Sequence, residues 1–413
     1  MDTEYTLKKI NKQISYLKEH STFYKKQLNQ FSGINNLLEL KSLPFTTKND
    51  ITIYNADFLC VPTYKVRDFI TTSGTIGDPV SFYLTETDLI RLGVNERNSF
   101  EMCNVKKGDK VLLTTTLDKC FMAGLAYYLG SQNMGVGIIR TGPGSLRYQW
   151  DMIERFKPEV IIAVPSFLLK MIRFAKDNDI NLSKCSLLKG ICIGEAIREP
   201  NLQLNSLGNA IVSDLNIKLY STYASTEMMT AFTECDEGKG GHLQEDLLFV
   251  EVLDKNGIDV KDGDSGEVVV TTLGVEAMPL LRYRTGDICT VYRSQCNCGR
   301  KSLRLGPVLG RESQRLKIKG TTIFPSAIIE AVYAFQYVEN FVIEVTLDEF
   351  NSDKLCLFVT DEFLEFSSLK EMKGFLKSKL LFTPEISVVE HTLINEKIGI
   401  NQNRKTNRFI DNR

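Results

Sequence analysis

Residues 71–79 read Thr-Thr-Ser-Gly-Thr-Ile-Gly-Asp-Pro, and six of the nine are glycine or hydroxyl-bearing. Glycine lets a backbone turn tightly and approach a ligand, while hydroxyls supply short, adaptable donors. Successive N–H groups in such a turn form a concavity that suits an anion, and a nucleotide's phosphate tail is the obvious one. The same residues also suit a polar hairpin turn, because Phe69-Ile70 before them and Val80, Phe82 and Leu84 after them are strand-like. No Gly-Lys-Ser/Thr closes the run, so it is not a common phosphate loop. A second group of reactive types is Cys235, His242, Cys296 and Cys298. Three thiolates and an imidazole complete a tetrahedral structural Zn²⁺ site with no open position for chemistry. The Cys-x-Cys spacing is tighter than in most zinc fingers, and reduced thiols are the alternative reading.

Loops of this kind need rigid elements to hold them, and the chain is long enough to supply them. Its 413 residues exceed one ordinary core, so two or more domains are expected. With 43% hydrophobic and 24% charged residues the composition is that of a globular protein. Fifty basic against 51 acidic residues leave a net charge of −1, which argues against a nucleic-acid partner or an anionic membrane surface. The start, Met1-Asp2-Thr3-Glu4-Tyr5, lacks an apolar segment, and the longest apolar run, Val160 to Leu169, is too short to span a bilayer. A cytoplasmic location with reduced cysteines is therefore expected.

Leu7, Ile10, Ile14, Leu17 and Phe23 recur at helical spacing near the start. Short strands then alternate with helices: strands at 110–113, 135–139, 160–164 and 190–194, helices at 121–129, 150–156 and 165–176. That alternation predicts layered α/β structure with mostly parallel strands. Strand-like runs at 247–253 and 266–272 predict a smaller antiparallel, β-rich subdomain. Beyond Gly310–Ser313 the pattern predicts a small α+β domain, so the expected division is 1–311 and 312–413.

The loop keeps informative company. Tyr223-Ala224-Ser225-Thr226-Glu227, Tyr283-Arg284-Thr285-Gly286-Asp287, Gly310-Arg311, Leu316-Lys317-Ile318-Lys319-Gly320 and the tail lysine Lys405 follow it in order. Together these resemble the adenylate-forming superfamily, the acyl-CoA synthetases and their relatives. Leu43-Pro44-Phe45-Thr46-Thr47-Lys48, Cys296-Asn297-Cys298-Gly299-Arg300, Ile323-Phe324-Pro325-Ser326 and the last nine residues resemble its phenylacetate–CoA ligase branch. The resemblance covers the chain from about Leu43 to the end. It implies a large N-terminal domain of layered α/β subdomains, a hinge, and a small mobile α+β C-terminal domain, with one ATP bound between them.

By the same resemblance, Thr72, Ser73, Gly74, Thr75 and Gly77 cradle phosphates, and Glu195 and Ala196 lie in a loop whose backbone lines adenine. Tyr223 packs on the base, Thr226 contacts the α-phosphate and Glu227 holds Mg²⁺. Asp287 takes the ribose hydroxyls, Arg311 and Lys317 lie near ribose and phosphates, and Lys405 bridges carboxylate and α-phosphate. Phe121, Met122 and Gly194 are implied at the acid pocket. Read without the resemblance, Glu227 is a helix-start residue capped by Ser225 or Thr226, Asp287 belongs to a turn after a strand, and Lys317 and Lys405 are solvated. Ala224, Ile76, Asp78 and Ser313-Gln314 depart from the family's pattern, and Asp78 brings an acid to the phosphate loop.

The implied reaction joins a carboxylic acid to ATP, giving an acyl adenylate and pyrophosphate, and then transfers the acyl group to CoA. An acyl carrier protein is the alternative acceptor, a non-catalytic nucleotide-binding protein is the rival from another class, and a homodimer is left open.

Overall fold

The computed structural model describes residues 3–72, 80–318, 321–335, 338, 340–348, 352–398 and 408–413. The chain divides into two compact units. The larger comprises Met1–Gln203, Gly208–Thr285 and Cys289–Pro307; the smaller comprises Leu204–Leu207, Gly286–Ile288 and Val308–Arg413.

An eleven-stranded sheet organises the larger unit. Its parallel half runs Gly137–Arg140, Lys110–Leu113, Val160–Ala163, Lys189–Ile193 and Lys218–Ser225. The middle strands are covered on both faces, which is why Val160-Ile161-Ile162 reads as an unbroken apolar run and is 0% exposed throughout. The antiparallel half continues through Thr230–Glu234, Gly241–His242, Arg304–Arg311, Tyr283–Tyr292, Ser265–Thr272 and Leu248–Leu253. The antiparallel strands expected after Glu245 thus extend the same sheet. Strand 66–71 and strand 81–85 pair separately as a hairpin, with Thr71 opposite Ser81. Near the start, the helix Thr3–His20 buries Ile10, Ile14 and Leu17, while Phe23 is buried in the next helix, Thr22–Gln27.

The helices Glu86–Met102 and Met122–Met134 pack closely because Gly130 gives way: a Cβ there would lie 2.4 Å from that of Glu96. Glu96 is thereby sealed in the core, where Asn95 donates to one carboxyl oxygen at 2.9 Å and the other has no partner among the described residues. Burial pushes its pKa up to about 8, with hydrogen bonds from Ser99 and Asn95 opposing. The folded protein therefore holds a proton that the unfolded chain releases near 4.5, and stability falls as pH rises from about 4.5 to about 8. Glu96→Gln removes that dependence: its urea midpoint should gain on wild type between pH 5 and pH 8, and an unchanged difference would refute the assignment.

The smaller unit carries a four-stranded sheet in the order Glu385–Val388, Asp353–Val359, Phe341–Leu347 and Phe409–Asp411. The helices Pro325–Ala334, Leu369–Leu380 and His391–Ile398 accompany it. Ile328, Val332, Phe341, Leu357 and Leu376 are among its core residues. Among the described residues, no helix is long and apolar enough to cross a membrane.

Candidate nucleotide and metal sites

The Thr71–Pro79 run begins where its hairpin predicts. Thr72 N–H donates to the Val80 carbonyl at 2.9 Å, and Val80 N–H donates to Thr72 Oγ1 at 3.0 Å. Thr72 is thus a buried stem residue, and its hydroxyl hydrogen stays available to donate. Ser73, Gly74, Thr75, Ile76, Gly77 and Asp78 lie outside the described residues. Thr71 N–H donates to the Cys120 carbonyl at 3.2 Å, which brings the Phe121-Met122 segment to this stem. Met122 opens the helix Met122–Met134 and is buried.

Tyr223-Ala224-Ser225 ends the strand Lys218–Ser225, and Thr226 and Glu227 stand in the turn that returns to Thr230–Glu234. No helix starts here. Ser225 Oγ and carbonyl accept from Met228 and Met229 N–H at 3.3 Å, closing a hairpin turn in place of a capped helix. Met229 takes a left-handed φ of 48° in that turn. Tyr223 is half-buried and stacks on Phe232 with centroids 5.8 Å apart. Glu227 is half-buried and has no hydrogen-bond or ion-pair partner among the described residues.

Gly194 leaves the strand Lys189–Ile193 at φ 79°, a conformation that glycine adopts without strain. Glu195 then turns its carboxylate to the start of the helix Pro165–Asp177, accepting from Ser166 N–H and Oγ at 2.9 Å each. This satisfies an unpaired donor at the start of that helix. Three residues on, Arg198 Nε donates to both oxygens of buried Glu234 at 2.7 and 2.8 Å.

In the smaller unit Asp287 is buried and accepts from Arg311 Nε at 2.8 Å. The segment does not end in a turn: Tyr283–Tyr292 is a ten-residue strand that passes through Gly286 at φ 76°. Lys317 is exposed on the short strand Leu316–Ile318, with its N–H donated to Asp353. Lys405 lies outside the described residues, which resume at Arg408. Arg408 is buried, donates to the Phe341 carbonyl at 3.0 Å and faces the Phe341 ring at 4.4 Å. Arg413 holds Asp411 at 2.6 Å and Asp353 at 3.1 Å.

The four predicted metal ligands do meet. Cys235, His242, Cys296 and Cys298 place their ligand atoms all within 4.8 Å of one another. His242 Nε2 lies 3.4 Å from Cys235 Sγ and 3.6 Å from Cys298 Sγ, and the Cys235 and Cys296 sulfurs are 3.7 Å apart. Ser302 Oγ sits 3.0 Å from His242 Nδ1, a partner that orients the ring. Burial, with Arg300 and Arg304 adding to it, lowers the His242 pKa to about 4 and keeps the imidazole neutral, the form that ligates metal.

Sequence reading missed four supports: Ser166 under Glu195, Glu234 against Arg198, Ser302 behind His242, and the buried Arg282. Arg282 pairs with Glu251 at 2.9 Å, donates to the Leu43 carbonyl at 2.7 Å and stacks on Phe45 at 4.1 Å. Its backbone carbonyl and the Arg284 N–H bracket Thr46, so the Leu43–Lys48 motif braces the Tyr283 segment. A charged residue beside a motif reads as surface in a sequence, and no local signal marks these partners.

With the fold and these positions in hand, known proteins offer a measure. The model of the AMP-binding enzyme family matches residues 67–277. The phenylacetate-coenzyme A ligase of Thermus thermophilus is 28% identical over 355 residues, covering 83% of this chain and 78% of that protein. The Pseudomonas putida phenylacetate-coenzyme A ligase is 30% identical over 301 residues, 72% of this chain and 66% of its own. The chain belongs to the AMP-binding enzyme family, in the branch of the phenylacetate–CoA ligases. A solved 2-hydroxyisobutyryl-CoA ligase in complex with 2-HIB-AMP shares the fold, with a TM-score of 0.85 at 20% identity over 100% of this chain and 90% of that one.

Proposed function

We propose that this protein is an AMP-forming ligase that activates a small aryl or acyl carboxylic acid with Mg·ATP and passes the acyl group to CoA. A carboxylate oxygen attacks the α-phosphorus and pyrophosphate leaves; the CoA thiolate then attacks the acyl carbon and AMP leaves. Both reactants in the first step are anions, so the protein must neutralise charge and hold the groups in line. The match over residues 67–277, which spans the phosphate loop and Tyr223–Glu227, carries this reading.

Glu227 is suited to hold Mg²⁺, because a hard cation takes carboxylate, phosphate and water oxygens and no protein cation competes for it among the described residues. Asp287 accepts the ribose hydroxyls beside Arg311, and Tyr223 flanks adenine against the backbone of Glu195-Ala196. Thr226 contacts the α-phosphate, and Lys317 and Lys405 supply positive charge near the reacting groups. Phe121, Met122 and Gly194 form part of the acid pocket. Cys235, His242, Cys296 and Cys298 hold a structural Zn²⁺ with all four positions filled, so the metal fastens two turns and takes no part in the reaction. The enzyme works in the cytoplasm.

Carboxylate-dependent ATP–pyrophosphate exchange across aryl and short acyl acids tests the first step. Thioester formation with CoA and with phosphopantetheinylated carrier proteins, offered in parallel, tests the second. Exchange with at least one acid and thioester on CoA are expected. Transfer to a carrier protein alone would reassign the acceptor, and ATP binding without exchange on any acid would make the chain a nucleotide-binding protein.

A further inference from the structure

Arg198 stands between two features that the sequence keeps apart. On one side is the segment Gly194–Ile197, read above as the adenine-side loop. On the other is the turn from Cys235 to His242, which carries two of the four metal ligands. The contact to that turn is twofold. Arg198 Nε donates to both carboxylate oxygens of Glu234, the residue before Cys235, at 2.7 and 2.8 Å. Its guanidinium also lies over Gly238, where an added Cβ would stand 2.4 Å from Nη2. Gly238 takes φ 58°, so the turn is shaped to admit the guanidinium.

The pair is sealed. The side chains of Arg198 and Glu234 are 12% and 2% exposed. The remaining bonds tie it further into the sheet: Arg198 Nη1 donates to the Leu202 carbonyl at 3.1 Å, and Ser221 N–H, on the strand that carries Tyr223, donates to Glu234 at 3.0 Å. A buried, doubly bonded ion pair does not tolerate the displacement of one partner, because the other is left charged and desolvated. Cys235 and His242 join their turn to the Cys296–Cys298 turn, and Asp236 ties it to the sheet by accepting from Tyr220 Oη at 2.6 Å and pairing with Lys218 at 2.9 Å. Its end, Gly241-His242, pairs with Thr233-Glu234 on one side and with Arg304-Leu305 on the other, and Arg304 donates to the Lys239 carbonyl.

We propose that the buried Arg198–Glu234 pair couples the Cys₃His metal cluster to the loop Gly194–Ile197, so that loading the cluster tightens nucleotide binding. The inference rests on the zinc and adenine-loop readings above. With the metal bound, Cys235 is fixed to Cys296 and Cys298, Gly238 stays beneath the guanidinium, and the loop is held at Arg198 as well as at Glu195. Without it, the turn loses its tie to the Cys296–Cys298 turn, Gly238 is less firmly kept beneath the guanidinium, and the hold on the loop at Arg198 weakens. The metal acts here at a distance, and Arg198 is a positioning residue.

The test measures zinc by elemental analysis and Mg·ATP affinity by calorimetry for wild type, Cys298→Ser, Arg198→Ala and the double variant, each checked for folding by near-UV circular dichroism. Cys298 is chosen because it is the least buried of the ligands. Cys298→Ser is expected to lose zinc and bind ATP about tenfold more weakly, a common size for coupling between sites. Arg198→Ala is expected to keep zinc and weaken ATP binding by a similar factor. The double variant should be no weaker than the worse single one, and Arg198→Lys should recover only part of the loss. Zinc-free Cys298→Ser with wild-type ATP affinity, or losses that multiply in the double variant, would overturn the coupling while leaving the zinc site standing. Wild type that neither carries nor takes up zinc would overturn the metal reading and the coupling together. Should Cys298→Ser fail to fold, chelator-stripped wild type measured before and after zinc is restored gives the same comparison.

Discussion

Replacing Lys405 with alanine is expected to cut carboxylate-dependent ATP–pyrophosphate exchange by about 10²–10³-fold, the usual cost of one group aimed at developing charge. The physical case is electrostatic. A carboxylate and an α-phosphate repel one another, and a compact ammonium on a long stem can contact both. Arg408, Asp411 and Arg413 have structural roles: the first is buried against Phe341, and Arg413 holds both Asp411 and Asp353. They hold the strand Phe409–Asp411 in the sheet of the smaller unit, parallel to Phe341–Leu347. Folding and Mg·ATP affinity should be nearly unchanged in Lys405→Ala. Exchange at the wild-type rate would remove Lys405 from the mechanism.

The largest effect on stability is expected at the metal cluster. Cys235→Ser should abolish zinc binding and cost roughly 4–5 kcal/mol or more, the range reached when a metal site is lost. Cys235 and Cys296 are 3% and 4% exposed and their sulfurs are in contact. Burial raises the Cys235 pKa to about 12 in the absence of metal, so its thiol stays protonated and loading the site releases that proton. Zinc retention should therefore weaken as the solution is acidified. Calorimetric melting together with elemental analysis checks both statements. An unshifted melting temperature, with no zinc in the wild type, would leave four neighbouring groups without a metal.

The parts of the fold that were legible share one cause: their local pattern coincides with their tertiary role. Val160–Ala163 is a strand buried on both faces and is apolar throughout; Ile10, Ile14 and Leu17 lie on one helical face and are spaced accordingly. The turn at Thr226-Glu227 was ambiguous for the opposite reason. Ser, Thr and Glu in sequence serve a helix start as well as a hairpin, and only pairing of Ser225 with Thr230 across the sheet decides between them. Gly286 misled likewise, since a glycine with positive φ is at home in a turn and is also tolerated inside a strand.

The sequence by itself determined the family and the chemistry it brings, because loops that meet a nucleotide demand particular residue types in a fixed order. It also held the four metal ligands as candidates, without joining them. Tertiary structure alone brought Cys235 and His242 to Cys296 and Cys298, turned Glu195 onto Ser166 and buried Arg198 against Glu234. The reason is physical: a charge near a motif is as cheap in water as it is useful in a core. Only the partner supplied by a distant strand, and the water that strand excludes, shows which it is.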